Sequence, residues 1–73
     1  MKNNILCGFH SIESALTENQ IKEVFVDSGR NDKRIRDLLN VTKASNLPIS
    51  FVSKTELDQI AGGMRHQGIV ARG

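Results

Sequence analysis

The residues best suited to chemistry lie in one stretch near the end of the chain, where Arg65, His66 and Gln67 stand between Gly62-Gly63 and Gly68. All three side chains can hydrogen-bond a phosphate, a ribose or a base edge. The sequence contains no acidic residue from this stretch to its end. Because glycines on both sides let the backbone turn tightly, we expect a loop that presents hydrogen-bond donors, although such a loop can also be a merely solvated connection.

A second candidate loop follows the first apolar run. Gly8 ends the run Ile5-Leu6-Cys7 and is followed by Phe9, His10 and Ser11. His10 could donate a hydrogen bond to a ligand or could bond its own backbone. Phe9 could stack on a base, but packing into the core is the favoured interpretation.

Metal and thiol chemistry find little support in the sequence. Cys7 and His10 are three residues apart, but only His66 remains as a further thiolate or imidazole ligand, whereas a structural zinc site needs four. A cysteine inside an apolar strand usually has a raised pKa and packs as a small hydrophobe. We therefore predict neither a metal site nor a nucleophilic cysteine.

Composition and charge indicate one small domain. The 73 residues include ten Lys and Arg against eight Asp and Glu, a net charge of +2. Residues 30–46 contain five basic and two acidic side chains, whereas residues 1–29 contain two basic and four acidic ones. The single cysteine fits a reducing compartment, and the first four residues resemble neither a signal sequence nor a membrane span. We therefore expect a cytoplasmic protein without membrane contact.

Strands and helices are predicted to alternate. Short apolar or β-branched runs predict strands at 5–8, 22–27, 49–52 and 69–71. The resulting β-α-β-α-β-α-β order predicts an α/β fold, a small three-layer α/β/α sandwich with three helices and a four-stranded sheet that is largely parallel or mixed. The first strand is expected in a central position. Loops that leave the carboxyl ends of strands are the usual ligand sites of such sheets, which favours the loop after the first strand.

The three helices are predicted from apolar spacing and from their ends. The first is expected to begin at Ser11 as N-cap, and the second to span 31–46 with a basic outer face. Ser53 and Glu56 have the spacing of a capping box at the start of the third helix, which should end at Gly62-Gly63.

Two blocks of the sequence together resemble a known family. The pattern Gly-x-(Asn/His)-x-(Val/Ile)-x-x-Ala-Leu is matched by Gly8, His10, Ile12, Ala15 and Leu16. This opening, together with the closing block from His66 to Ala71, resembles the N-terminal substrate-binding domain of SpoU-type RNA ribose 2′-O-methyltransferases. The similarity covers nearly all of residues 5–72 and is strongest to members that methylate a guanosine ribose of large-subunit ribosomal RNA.

The resemblance implies a fold like that of ribosomal and kink-turn-binding small α/β proteins, and a role in gripping RNA for a separate catalytic domain. That knotted, S-adenosylmethionine-binding domain is expected beyond Gly73. Residues 1–73 would then be a substrate-binding domain that needs no cofactor and is not catalytic by itself. The fragment is expected to be a monomer, and its parent a homodimeric RNA (guanosine-2′-O-)-methyltransferase.

The resemblance also implies which residues contact RNA, because in the family the loop after the first strand and the region around the third helix do so. Carried onto this sequence, the RNA-binding residues are Gly8, Phe9, His10, Ser11, Lys54, Gly62, Gly63, Arg65, His66 and Gln67. The basic residues of the second helix are most often a solvated face and only secondarily phosphate contacts; they are Lys33, Arg34, Arg36 and Lys43.

Two other functions stay open. The basic helix and the glycine loop could dock onto an acidic protein partner or onto the enzyme's own catalytic domain. The chain could also be a free-standing RNA scaffold protein like the kink-turn binders. A reading frame that continues into a knotted domain would exclude the last.

Overall fold

The computed structural model describes residues 5–30 and 32–73. The first four residues, and Asn31 at the predicted start of the second helix, lie outside the described residues. In chain order the elements are β1 (Ile5–Cys7), α1 (Phe9–Thr17), β2 (Glu23–Asp27), α2 (Lys33–Ala44), β3 (Ile49–Val52), α3 (Lys54–Ile60) and β4 (Ile69–Arg72). This order confirms the predicted alternation of strands and helices.

The four strands form one mixed sheet in the order β1-β4-β2-β3. β2 and β3 are parallel, whereas β4 runs antiparallel to both of its neighbours. The prediction that β1 is central is therefore wrong, since β1 lies at an edge and pairs with β4 alone. An apolar run reports burial, not the number of neighbouring strands. Leu6 packs against one core, and Ile5 and Cys7 against another, so this edge strand shows the continuous apolar pattern of a central one.

Helices cover both faces of the sheet, which confirms the three-layer sandwich. α1 and α2 pack on one face, where Ile12, Ile35 and Ile69 are among the fully buried side chains of the larger core. α3 packs on the other face, and Leu57 meets Val70 in a smaller core. None of these helices, within the part of the chain that the structure describes, combines the length and apolarity needed to cross a membrane.

The start of α1 differs from the prediction. Gly8, not Ser11, is the N-cap, and Ser11 lies inside the helix. The backbone of Gly8 has φ 90° and ψ 156°, a conformation essentially restricted to glycine. Its carbonyl accepts a hydrogen bond from the Ile12 N–H at 3.3 Å and so closes the first turn. Serine is the stronger sequence signal for a cap, but the helix follows the residue whose backbone can make the sharp exit from β1.

The other two helices lie close to where they are expected. α2 is shorter than the predicted span, and Asn46, with φ 57°, takes the chain out of the helix ahead of Pro48. α3 begins as predicted, because the Ser53 hydroxyl accepts a hydrogen bond from the Glu56 N–H at 3.2 Å.

Candidate functional site

The sheet topology brings four chain segments together at one edge of the sheet, the edge formed by the ends of strands rather than by an outer strand. β1, β2 and β3 all run in one direction and β4 in the other, so the ends of the first three strands and the start of the fourth lie side by side. We call this edge the rim; from β1 to β3 it comprises residues 8–11, 65–68, 28–30 and 53–54. The two loops singled out from the sequence, although more than fifty positions apart along the chain, are neighbours there.

A pocket of about 280 Å³ lies where these two loops meet. Its lining residues are Cys7, Gly8, Phe9, His10, Ser11, Arg65 and Gln67. His10 and Arg65 therefore lie on one side of the molecule, where a single ligand can contact both.

The pocket is suited to a negatively charged or polar group. The first backbone N–H groups of a helix have no partner within it, and no described side chain caps those of α1. They carry the positive end of the helix dipole, and the exposed Arg65 adds a full charge beside them. Gln67, also exposed, supplies a neutral donor and acceptor. Together these groups can hold a phosphate and hydrogen-bond an adjacent ribose or base.

His66 does not join this set of exposed groups. Its side chain is only 6% exposed, and Nε2 is bonded to a carboxylate oxygen of Asp58 on α3. Nδ1 accepts a hydrogen bond from the Gly68 N–H at 3.2 Å. These partners assign the neutral tautomer with hydrogen on Nε2. Both ring nitrogens are therefore engaged within the protein in this conformation, and the RNA contact expected of His66 from the sequence stays a prediction.

Gly62, Gly63 and Lys54 lie apart from the pocket. The two glycines follow α3 in a hydrogen-bonded turn in which the Gly63 N–H donates to the carbonyl of Asp58 at 3.4 Å. Their role in the structure is to reverse the chain toward Arg65. Lys54 is exposed at the start of α3, on the rim at its β3 end.

Arg30 is a rim residue that the sequence interpretation did not select. A Cβ built on Gly68 would lie 3.1 Å from Arg30 Cγ, so this arginine packs directly over the loop that carries Arg65 and Gln67. Asp32 holds its guanidinium through two hydrogen bonds of 3.1 Å. That hydrogen bonding raises the pKa of Arg30 and lowers the pKa of Asp32. Loops that leave the carboxyl ends of strands are the usual ligand sites, and applying this rule to β2 as well as to β1 would have identified Arg30 from the sequence.

The basic residues of α2 have different surroundings. The Arg34 guanidinium lies 4.4 Å from the centre of the Phe9 ring, which is itself 4% exposed. Phe9 therefore packs in the core with a cation over its face, and the stacking of a base on this ring is not available. Lys33 pairs with Asp37 at 2.9 Å across one helical turn. Arg36 and Lys43 are exposed, the latter in the last turn.

The sequence also led to predictions about the Cys7 thiol and about metal binding. Partial burial raises the pKa of the Cys7 thiol, in the expected direction. Within residues 5–30 and 32–73, no three His, Cys, Asp or Glu side chains are grouped so that they could hold a metal ion.

Comparison with known proteins identifies related sequences over almost the whole chain. The profile of a family described as RNA 2′-O ribose methyltransferase substrate binding matches residues 5–72. The 23S rRNA (guanosine-2′-O-)-methyltransferase RlmB of Haemophilus influenzae is 42% identical over an alignment of 67 positions that covers 89% of this chain and 27% of that protein. The protein of the same name from Pasteurella multocida is 39% identical over an alignment of 74 positions that covers 99% of this chain and 30% of its own length. The chain thus spans less than a third of these relatives.

A solved structure supports the fold independently. A protein of unknown function from Bacillus halodurans superimposes with a TM-score of 0.74 over 92% of this chain and 68% of its own. At 18% identity it shows the shared fold and nothing more.

Proposed function

The chain belongs to the family of RNA 2′-O ribose methyltransferase substrate-binding domains, and on that premise we propose that its rim grips ribosomal RNA and positions it for methylation by a separate catalytic domain. The observation that carries the proposal is that Arg65 and the first turn of α1, which has no side-chain cap among the described residues, line one pocket. Those groups match what structured RNA offers, namely phosphates, 2′-hydroxyls and exposed base edges.

The contacts divide between two kinds of group. The segment from Gly8 to Ser11 offers backbone amides and the polar side chains of His10 and Ser11 to a phosphate. Arg65 and Gln67 extend over the same phosphate. Arg30 adds a second cation beside this loop, and Lys54 a third at the β3 end of the rim. Phe9 and His66 support these residues from the interior.

The rest of the proposal concerns the whole protein. The relatives named above are about three times longer than this chain, which leaves room for a catalytic domain beyond Gly73. In the proposed protein that domain binds S-adenosylmethionine and transfers its methyl group, the substrate is a guanosine ribose of large-subunit ribosomal RNA, and the protein is a homodimer. Residues 1–73 supply binding and no catalytic group.

Replacement of Arg65 by alanine tests the proposal. Titration of the 73-residue chain with a large-subunit ribosomal RNA hairpin at two salt concentrations should show a loss of about 1 to 3 kcal/mol in binding if Arg65 grips a base edge, or a salt slope lower by about one if it grips a phosphate. Lys22→Ala is the matched control, because Lys22 carries the same charge just before β2, at the opposite end of that strand from the rim.

Backbone amide shifts in the same titration decide between RNA binding and protein docking. Changes at residues 8–11 and 62–68 are expected on addition of RNA. If the two variants lose affinity equally, or if RNA shifts only the amides of α2, the rim is not the RNA site. If RNA shifts no amide of the chain, docking onto a protein partner becomes the better explanation.

A further inference from the structure

The loop between α3 and β4 is anchored from its middle. The His66 side chain is only 6% exposed, whereas its neighbours Arg65 and Gln67 are exposed, so the chain turns one side chain inward and two outward at consecutive positions. The inward imidazole bonds Asp58 on α3 through Nε2 and the Gly68 N–H through Nδ1. Asp58 thus links the side of the sheet that α3 covers to the loop that lines the pocket.

We propose that Asp58 and His66 form a positioning pair, which holds Arg65 and Gln67 in the geometry that binds RNA without itself contacting RNA. The inference rests on the proposed function of the rim. A segment with glycines at 62, 63 and 68 would have many accessible backbone conformations if no other part of the protein held it in place. Binding by such a segment is weakened by the entropy lost when it orders, unless a contact in the free protein has already ordered it.

The negative charge of Asp58 allows its positioning role to be distinguished from a purely electrostatic effect on RNA binding. Asp58 is 54% exposed and negatively charged on a helix that leads into an RNA-binding loop. By charge alone its removal should strengthen binding to a polyanion. A positioning role predicts the opposite sign, because loss of the carboxylate releases the imidazole. The direction of the change therefore separates the two explanations.

The first experiment compares Asp58→Ala with Glu56→Ala, a change of equal charge on the same helix. We expect Asp58→Ala to weaken binding of the ribosomal RNA hairpin by about fivefold to tenfold, the size of one lost ordinary hydrogen bond, because Asp58 is 54% exposed and its charge is screened by solvent. Glu56→Ala should leave affinity unchanged or slightly increase it. Asp58→Asn keeps an oxygen that can accept from Nε2, and it should restore most of the affinity. Equal behaviour of the two alanine variants would overturn the proposal.

The second experiment separates the two bonds of the imidazole. His66→Asn places an amide where Nδ1 lies and keeps an acceptor for Gly68, whereas His66→Gln places one where Nε2 lies and keeps a donor for Asp58. Each should lose affinity, and the hairpin should bind most weakly to His66→Ala. If His66→Ala binds as tightly as the unchanged protein, the pair has no positioning role.

A measurement without RNA keeps the inference separable from the proposed function. Hydrogen exchange of the Gly68 amide, which donates to Nδ1, should be slow in the unchanged protein and in Glu56→Ala, and several times faster in Asp58→Ala. If the protein fails to bind RNA while Gly68 shows this pattern, the proposed function is wrong and the anchoring of the loop holds. If exchange at Gly68 does not respond to Asp58→Ala, the anchoring is refuted whatever the RNA result.

Discussion

At the scale of single residues, Gly68 is where the loop before β4 meets the end of β2 and the segment that follows it. Its N–H donates to the His66 ring at 3.2 Å, and its carbonyl accepts from the Asp27 N–H at 2.9 Å. Its Cα faces the Arg30 side chain so closely that a Cβ would lie 3.2 Å from a guanidinium nitrogen. With φ 87° the residue also occupies a conformation that other residues adopt only with strain.

Gly68→Ala should therefore destabilise the fold by about 2 kcal/mol or more, because backbone strain and a close contact add together. The matched control is Gly62→Ala, where φ is 63° and a Cβ would meet no atom within 4 Å. That variant should lose about 1 kcal/mol, the cost of the left-handed conformation alone. Urea unfolding of both variants measures the difference. Equal losses would mean that the packing of Arg30 over Gly68 is not tight in solution.

At the scale of elements, α1 and α3 begin near opposite ends of the rim and have different N-terminal caps. α3 has a serine cap whose hydroxyl is bonded to the Glu56 N–H. α1 has the glycine Gly8 and no side-chain cap among the described residues, which leaves its first N–H groups free for a ligand. A capped α1 would be more stable by itself but would have fewer donors in the pocket.

The pair Ser53→Ala and Ser11→Ala tests this difference. Loss of the Ser53 cap should lower the free energy of unfolding by about 1 kcal/mol. Ser11 lies inside α1, so its replacement should change stability by less than about 0.5 kcal/mol while weakening the binding of RNA. Chemical unfolding and RNA titration of both variants give the four values needed. A large loss of stability in Ser11→Ala would contradict the assignment of Gly8 as the N-cap.

At the scale of the whole molecule, the fold separates the positive charges into two groups. α2 starts at the rim and its 12 residues extend about 18 Å, so its last turn lies at the opposite end of the sheet. Arg34, in contact with the buried Phe9 ring, belongs near the pocket, whereas Lys43 does not. RNA that lies along the rim can reach the first group without touching the second.

This separation predicts unequal salt effects for two changes of the same charge on the same helix. Arg34→Ala should lower the slope of log affinity against log salt by about 0.7 to 0.9, the value for one phosphate contact. Lys43→Ala should leave the slope unchanged. Binding isotherms of the hairpin at several salt concentrations supply both slopes. A reduced slope in Lys43→Ala would show that the RNA also runs along α2.

Much of the fold could be predicted before the structure, because local physics decides it. The β-branched run at Ile49–Val52 forms a strand as expected, and Ser53 caps the helix that follows. The start of α1 was misplaced because Ser11 has the right side chain for a cap, while Gly8 has the right backbone. The position of β1 was misjudged because an edge strand covered on both faces has the same apolar pattern as a central one.

The amino-acid sequence by itself determined the order of the elements, the family and the two loops that carry donors, since each depends on residues near one another in the chain or on a recognisable motif. Only the tertiary structure decided which donors face outward. His66, Arg65 and Gln67 are equal candidates in sequence, but Asp58, eight residues before His66, draws the imidazole inside. Such a contact depends on how a helix and a loop pack across the sheet, and this packing is set by the whole core rather than by any short segment.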